Sequence, residues 1–271
     1  MSDADRAARE FVRLVDIVAT LRGPGGCPWD REQTVDSLKP FVLEETYEVL
    51  DAIDQHDHAS LREELGDFVF EAVFVAQLES EAGHFSIADS LKTAADKLVR
   101  RHPHVFKRGE GEAPLQSGAQ VRVRWEEIKA EERAGAGQQG RPKTLLSGIA
   151  PTLPALLRAF HIGTRAASVG FDWARADDVV AKIREEVEEL GGAIGDPQRA
   201  EEEMGDLLFA IANLARKLGI EPETALRKAN EKFGRRFTAM EQAIAASGRT
   251  MAGMTIEELE ADWQRAKSAT S

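Results

Sequence analysis

One acidic helical pattern is written twice in this chain, and that duplication restricts its fold more than any other feature. Glu44-Glu45-x-x-Glu48 is followed by Glu63-Glu64-x-x-Asp67, and Glu185-Glu186-x-x-Glu189 by Glu202-Glu203-x-x-Asp206. Glu44 and Glu185 are 141 residues apart, Asp67 and Asp206 are 139, and Arg101 and Arg236 are 135. Trp125 and Lys129 stand 138 residues before Trp263 and Lys267. Motifs in one order at nearly one period imply duplicated units. Each unit has apolar residues at helical spacing and hardly any alternating β-branched run, so the expected architecture is all-α, with two tandem helical-bundle domains. They are expected at residues 1–132 and 144–271, joined by a flexible linker at 133–143 that carries Gly135, Gly137, Gly140 and Pro142.

The apolar spacing predicts helices over 5–21, 37–53, 61–78 and 87–101, a short one around Trp125, and then 153–167, 177–194, 198–218, 222–246 and 255–267. Leu65, Phe68, Val69, Ala72, Val73 and Ala76 form the expected core stripe of one helix; Met204, Leu207, Leu208, Ile211 and Leu214 form that of another. The Gly and Pro density from Gly23 to Pro28 places Trp29-Asp30 on an irregular loop, with Trp29 expected as a plug between helices. Short helices with such a two-sided pattern rarely close a core alone. Pairing is therefore expected, within the chain, between chains, or both.

The 42% hydrophobic and 30% charged residues suit a globular protein, and the formal net charge of −12 argues against a nucleic-acid or anionic-membrane surface. A diffusible nucleotide accompanied by metal remains compatible with that charge. The single Cys27 cannot form an internal disulfide, has no base beside it, and fits a reducing compartment. The acidic N-terminus lacks an apolar core, so a cytoplasmic location is expected.

At about 100° per residue, Glu185, Glu186 and Glu189 share one helix face, and Glu203 and Asp206 share the face of the next. Two antiparallel helices then aim four or five carboxylates at one point, where they repel unless a counter-charge is present. A hard cation such as magnesium, with manganese as a substitute, takes oxygen ligands and often accompanies a phosphate substrate. Lys182, one turn before the acids, and Arg199 are the nearby cations, while Lys232, Arg236 and Lys267 recur on the last helices. That set fits metal-assisted attack of water on a polyphosphate, with Glu185, Glu186 and Glu189 as catalytic candidates and Glu186, Glu189, Glu203 and Asp206 as metal ligands. Trp263 is open to two roles, covering a base or packing in the core.

The doubled Glu-Glu-x-x-Glu and Glu-x-x-Asp runs, together with Cys27-Pro28-Trp29-Asp30, Arg100-Arg101-His102-Pro103-His104-Val105-Phe106 and Trp263-x-x-x-Lys267, closely resemble the two-repeat MazG family. The resemblance covers residues 14–267. It implies an all-α pyrophosphatase fold, a homodimer, and magnesium-dependent hydrolysis of nucleoside triphosphates between the α and β phosphates. It also implies that the C-terminal repeat is the working one. The corresponding N-terminal residues are Glu44, Glu45, Glu48, Glu64, Asp67, Lys97, Arg101, Trp125 and Lys129, but Phe41 stands where the other repeat has Lys182. Arg199 replaces a lysine of the family pattern and keeps its charge with a different reach.

Other readings compete. A solvated acidic face would make the protein a non-catalytic helical scaffold or regulator. A Nudix box fits Gly170, Glu185, Glu188, Glu189 and Gly191 but fails at Ala176, Glu186 and Gly192, and its mixed sheet is missing. A di-iron bundle wants Glu-x-x-His pairs, which neither cluster has; His161 is expected to be a packed residue.

Overall fold

Most of the longer helices begin at a residue whose side chain caps their first backbone N–H groups. In the computed structural model, which describes residues 1–107, 117, 118, 120, 121, 124, 125, 128, 132 and 144–269, the described residues form helices and no strand. The chain divides into two compact units, Met1–Ile128 and Lys129–Ser271.

In the first unit α1 is Asp3–Arg22, α2 Pro28–Glu32, α3 Val35–Gln55, α4 His58–Glu81, α5 Ile87–Arg101 and α6 Pro103–Phe106. Ser2, Thr34 and Ser86 each accept a hydrogen bond from the backbone N–H three residues on and donate their own backbone N–H to the side chain of that residue, so α1, α3 and α5 start on capping boxes. Asp57 caps α4. α3 packs along α4, and α1 lies on α4 as well. Their shared core is Val18, Leu38, Val73, Phe74 and Leu78, ringed by Phe11, Leu14, Phe41 and Phe70. Each such side chain contributes about 1.5–3 kcal/mol of burial. Arg22 ties the unit together: its Nε donates to Glu81 Oε1 at 2.9 Å, its Nη1 to the Asp30 carbonyl, and its guanidinium lies 5.6 Å from the Phe74 ring centre.

In the second unit α7 is Ala155–Ala167, α8 Ala176–Ala193, α9 Pro197–Lys217, α10 Pro222–Ala246 and α11 Ile256–Ala269. Asp196 and Glu221 cap α9 and α10 ahead of a proline that opens each helix. α9 packs on both α8 and α7, and α10 packs on α7 and α11. At the α7–α9 crossing Gly163 is buried; a Cβ there would lie 2.2 Å from Asn213 Oδ1. Asn213 is itself held by donation to the Phe209 carbonyl at 3.1 Å and acceptance from Arg216 Nε at 3.3 Å. Met240, Ile244 and Ala266 form a separate core with Phe237, Met251, Leu259 and Trp263 around it.

Some expectations are corrected. Trp29-Asp30 belongs to α2, because Pro28 stands at a first helical position and ends the irregular run just before it. Trp29 is no plug: it is 52% exposed, with one edge against Phe41. His161 is exposed beside Phe160. Both expected core stripes are buried only in part. Val73 and Ala76 are buried, whereas Leu65, Phe68 and Val69 are exposed, as are Met204, Leu208 and Ile211 on α9. On α4 burial is confined to the C-terminal end of the stripe, whereas on α9 Leu207 and Leu214 are half-buried and no residue of the stripe is fully buried. Lys129 and the proposed linker 133–143 lie outside the described residues.

Candidate functional site

α8 carries Lys182, Glu185, Glu186 and Glu189, and the helix packed against it, α9, carries Arg199, Glu203 and Asp206. Glu186 is 4% exposed. Its Oε1 lies 2.7 Å from Lys182 Nζ, while its Oε2 is buried with no hydrogen-bond partner. Lys182 also donates to Glu185 Oε1 at 2.6 Å, and these bonds, that to Glu185 first, hold its ammonium well above the usual lysine range. Oxygens of Glu186, Glu203 and Asp206 come within 4.8 Å of one another. Glu189 flanks them, its carboxyl raised by desolvation and by the charges of Glu203, Glu186 and Glu185 against the opposing pull of Lys182. Arg199 Nη2 approaches Glu203 Oε1 to 3.9 Å from a largely exposed position.

The donor set fits a hard cation. Opposite corners of a magnesium octahedron are about 4.2 Å apart, so the three oxygens need only a small movement to share an ion. The orphaned Glu186 Oε2 is the more telling feature, because a buried carboxylate oxygen without a partner costs about 1–3 kcal/mol or more.

The first unit brings together the same elements with a different balance. Glu45 and Glu48 on α3 and Glu64 on α4 place oxygens within 4.8 Å of one another, with Glu44 and Asp67 alongside. Phe41, one turn before Glu45, packs into the apolar core. Glu64 is raised by desolvation and by Glu48, with which it shares a hydrogen bond. Sequence reasoning missed Glu71. It is 6% exposed, and burial, reinforced by Glu45 and Asp67, pushes its carboxyl up to about 7. Its signal was available: Glu64, Asp67 and Glu71 follow an i, i+3, i+7 stripe.

The remaining candidates stand farther along each unit. Lys232 and Arg236 sit on α10, and among the described residues neither makes an ion pair with the carboxylates. Trp263 packs on Phe233 with ring centres 5.0 Å apart and joins the Met240 core, so of its two roles the structure displays packing. Lys267 follows it one turn later on α11. In the first unit Lys97 is exposed on α5, Arg101 ends that helix, and Trp125 sets its ring edge-on to His102 at 4.9 Å.

Fold and site together define an all-α protein in which each of two tandem units holds a carboxylate cluster suited to a hard cation. The pattern of the MazG nucleotide pyrophosphohydrolase domain matches residues 33–106 and again 176–239. The chain belongs to the MazG family. It is 48% identical over 260 residues to a nucleoside triphosphate pyrophosphohydrolase of Escherichia coli (strain K12), covering 94% of this chain and 96% of that one. It is 46% identical over 258 residues to a nucleoside triphosphate pyrophosphohydrolase/pyrophosphatase MazG of Thermotoga maritima, covering 95% of each. Among solved structures, a mazG-related protein from Thermotoga maritima matches with a TM-score of 0.37 and 27% identity, covering 44% of this chain and 97% of that chain.

Proposed function

We propose that this chain is a nucleoside triphosphate pyrophosphohydrolase that adds water across the α–β phosphoanhydride bond of NTPs and dNTPs, releasing a monophosphate and pyrophosphate. The reading places the reaction in the second unit, residues 144–271, with magnesium as the ion and manganese as a substitute. It rests above all on the buried, unpartnered Oε2 of Glu186 facing Glu203 and Asp206, with Lys182 at its side.

A magnesium ion held by Glu186, Glu189, Glu203 and Asp206 would neutralise phosphate oxygens and raise the acidity of a bound water. The chain's own residues do the rest. Lys182 gives up part of its hold on Glu185 and Glu186 to bind phosphate oxygens, and Arg199 adds charge at the rim. Glu189, which flanks the Glu186–Glu203–Asp206 group one turn beyond Glu186, takes the proton from the attacking water. Glu185 keeps Lys182 oriented. Lys232, Arg236 and Lys267 are assigned to the outer phosphates, and Trp263 supports the helix that carries Lys267.

The working form in this reading is a homodimer. Val187, Met204, Leu208 and Ile211 are exposed on the helices that carry the acids, and a second copy is the partner that would cover them. Among the described residues no helix is long and apolar enough to cross a membrane. The net charge of −12 favours a small nucleotide over nucleic acid.

Product analysis tests the reading. ATP and each dNTP are incubated with wild type, Glu186→Ala and Glu45→Ala, with and without EDTA. Monophosphate plus pyrophosphate, lost with chelator and with Glu186→Ala but kept in Glu45→Ala, is the expected result. Diphosphate plus phosphate overturns the cleavage site, and absence of metal-dependent turnover in wild type hands the molecule to the scaffold reading.

A further inference from the structure

We propose that Ser247, Arg249 and Asp262 form a clasp that fixes the seating of α11 on α10 and so aims Lys267 at the phosphates that Lys232 and Arg236 approach from α10. Asp262 and Arg249 are positioning residues in this proposal, which rests on the assignment of those three cations to the outer phosphates. Asp262 is an acid on the packed face of α11, 4% exposed, and the hydrolytic machinery leaves it without a role. Arg249 grips it with two bonds: Nη1 donates to Oδ2 at 3.1 Å and Nη2 to Oδ1 at 3.2 Å. Arg265, one turn further along the same helix, donates to Oδ1 as well, but that bond ties α11 only to itself. Arg249 above all holds the Asp262 carboxyl below its usual range, against the opposing effect of burial, so the grip is ionic at neutral pH.

The other end of Arg249 is anchored to α10. Its Nε donates to Ser247 Oγ at 2.9 Å, the Ser247 hydroxyl donates to the Ile244 carbonyl at 2.7 Å, and the Arg249 backbone N–H donates to that same carbonyl at 3.2 Å. Ile244 lies in the last turn of α10, 1% exposed in the core that it shares with Ala266 of α11. Gly248, at φ 75°, makes the reversal that brings Arg249 back toward α11. Apolar packing alone resists rolling of a helix weakly. At about 100° per residue Leu259 and Ala266 stand in the middle of the packed face of α11, Asp262 at one edge, and Trp263 and Lys267 at the other. A roll of about 20° carries a group 5–6 Å from the helix axis by about 2 Å, enough to break a hydrogen bond to phosphate. The two-bond fork at the Asp262 edge opposes that roll, and the edge that gains is the one that carries Lys267.

Kinetics of ATP hydrolysis in wild type, Arg249→Lys, Asp262→Asn, Lys267→Met and the Arg249→Lys/Lys267→Met pair test this. Lysine keeps the charge of Arg249 and loses the fork, and because the Arg249 side chain is 45% exposed its replacement leaves the core closed. Arg249→Lys and Asp262→Asn are expected to raise KM by about 10-fold with kcat changed by less than about 2-fold, the signature of lost substrate binding. In the Lys267→Met background Arg249→Lys is expected to add less than about 2-fold, because the group that it positions is gone. A role in stability alone lowers the folded fraction, and with it the apparent kcat, equally in both backgrounds while KM stays unchanged; that result overturns the proposal. Binding of α,β-methylene-ATP with magnesium, an analogue that cannot be cleaved at the bridging carbon, is titrated in parallel. If wild type releases no pyrophosphate, the hydrolase reading fails and the clasp is still read from this titration. Weakening by about 10-fold in Arg249→Lys supports the clasp, whereas unchanged affinity in that variant, or no binding to wild type, overturns it.

Discussion

Lys182 Nζ lies 2.7 Å from the buried Glu186 Oε1, one helical turn ahead of it, and the matching step in the first unit runs from Phe41 to Glu45. In the absence of nucleotide the ammonium is therefore the resident counter-charge of the second cluster, and metal and lysine compete for the same carboxylate. Lys182→Met should separate two effects. Binding of Mn2+ to the nucleotide-free second cluster should tighten, because its competitor is gone. Magnesium-dependent hydrolysis should fall by about 10- to 100-fold in kcat/KM, the effect of a lost charge-assisted hydrogen bond of about 1.5–3 kcal/mol to phosphate. Tightened metal binding with unchanged kcat/KM would remove Lys182 from the substrate-binding set.

The exposed apolar residues next to the acids carry a second prediction. Leu208 and Met204 are each 44% exposed and lie one turn apart on α9. If a second copy covers them, Leu208→Asp should raise the dimer dissociation constant by about 30-fold or more, the factor that corresponds to a loss of about 2 kcal/mol at an interface centre. Light scattering across a micromolar concentration series reads this directly. A wild type that stays monomeric through that range would refute the homodimer.

Helix existence and the acidic clusters were legible in the residues because period, caps and breakers agree locally. The expected and observed helices coincide over 87–101 and 222–246, where Ser86 and Glu221 cap the starts. Burial was less legible. The 3.6-residue period marks which residues share a face, and it reports nothing about whether a neighbour reaches both ends of that face; hence Val73 is buried and Leu65 is not. Glu71 was missed for the related reason that an acid inside an apolar stretch reads as a surface residue until packing shows otherwise. The short helix α2 escaped because five residues are too few to show a period.

Gly163 and Gly191 offer a paired test of the α7–α9 packing. Both are helical, so replacement by alanine should gain about 1 kcal/mol of helix propensity at either site. At Gly191 nothing lies within 4 Å of the added Cβ, and the gain should survive as a higher unfolding midpoint. At Gly163 the Cβ would meet Asn213 Oδ1 at 2.2 Å and Arg216 Nε at 3.1 Å. Relieving that contact by about 1–3 kcal/mol of displacement should outweigh the propensity gain and lower the midpoint. A Gly163→Ala variant as stable as Gly191→Ala would mean that α7 and α9 are not so closely packed.

Glu71 gives the metal-free protein a pH dependence of defined sign. Its carboxyl is raised from the ordinary 4.5 to about 7 by burial, and the groups that face it, Glu45 and Asp67, add to that shift. The folded state thus holds a proton that the unfolded chain releases above its ordinary value. Stability from this source is fully present below about pH 4.5 and is lost as the pH rises through about 7. The span between the two values corresponds to a decline on the order of 3 kcal/mol, at about 1.4 kcal/mol per unit. In EDTA, the urea midpoint of wild type should therefore fall between pH 5 and pH 8, and Glu71→Gln, which keeps the shape and removes the ionisation, should flatten that fall. Equal slopes for the two proteins would show that the proton resides elsewhere in the cluster.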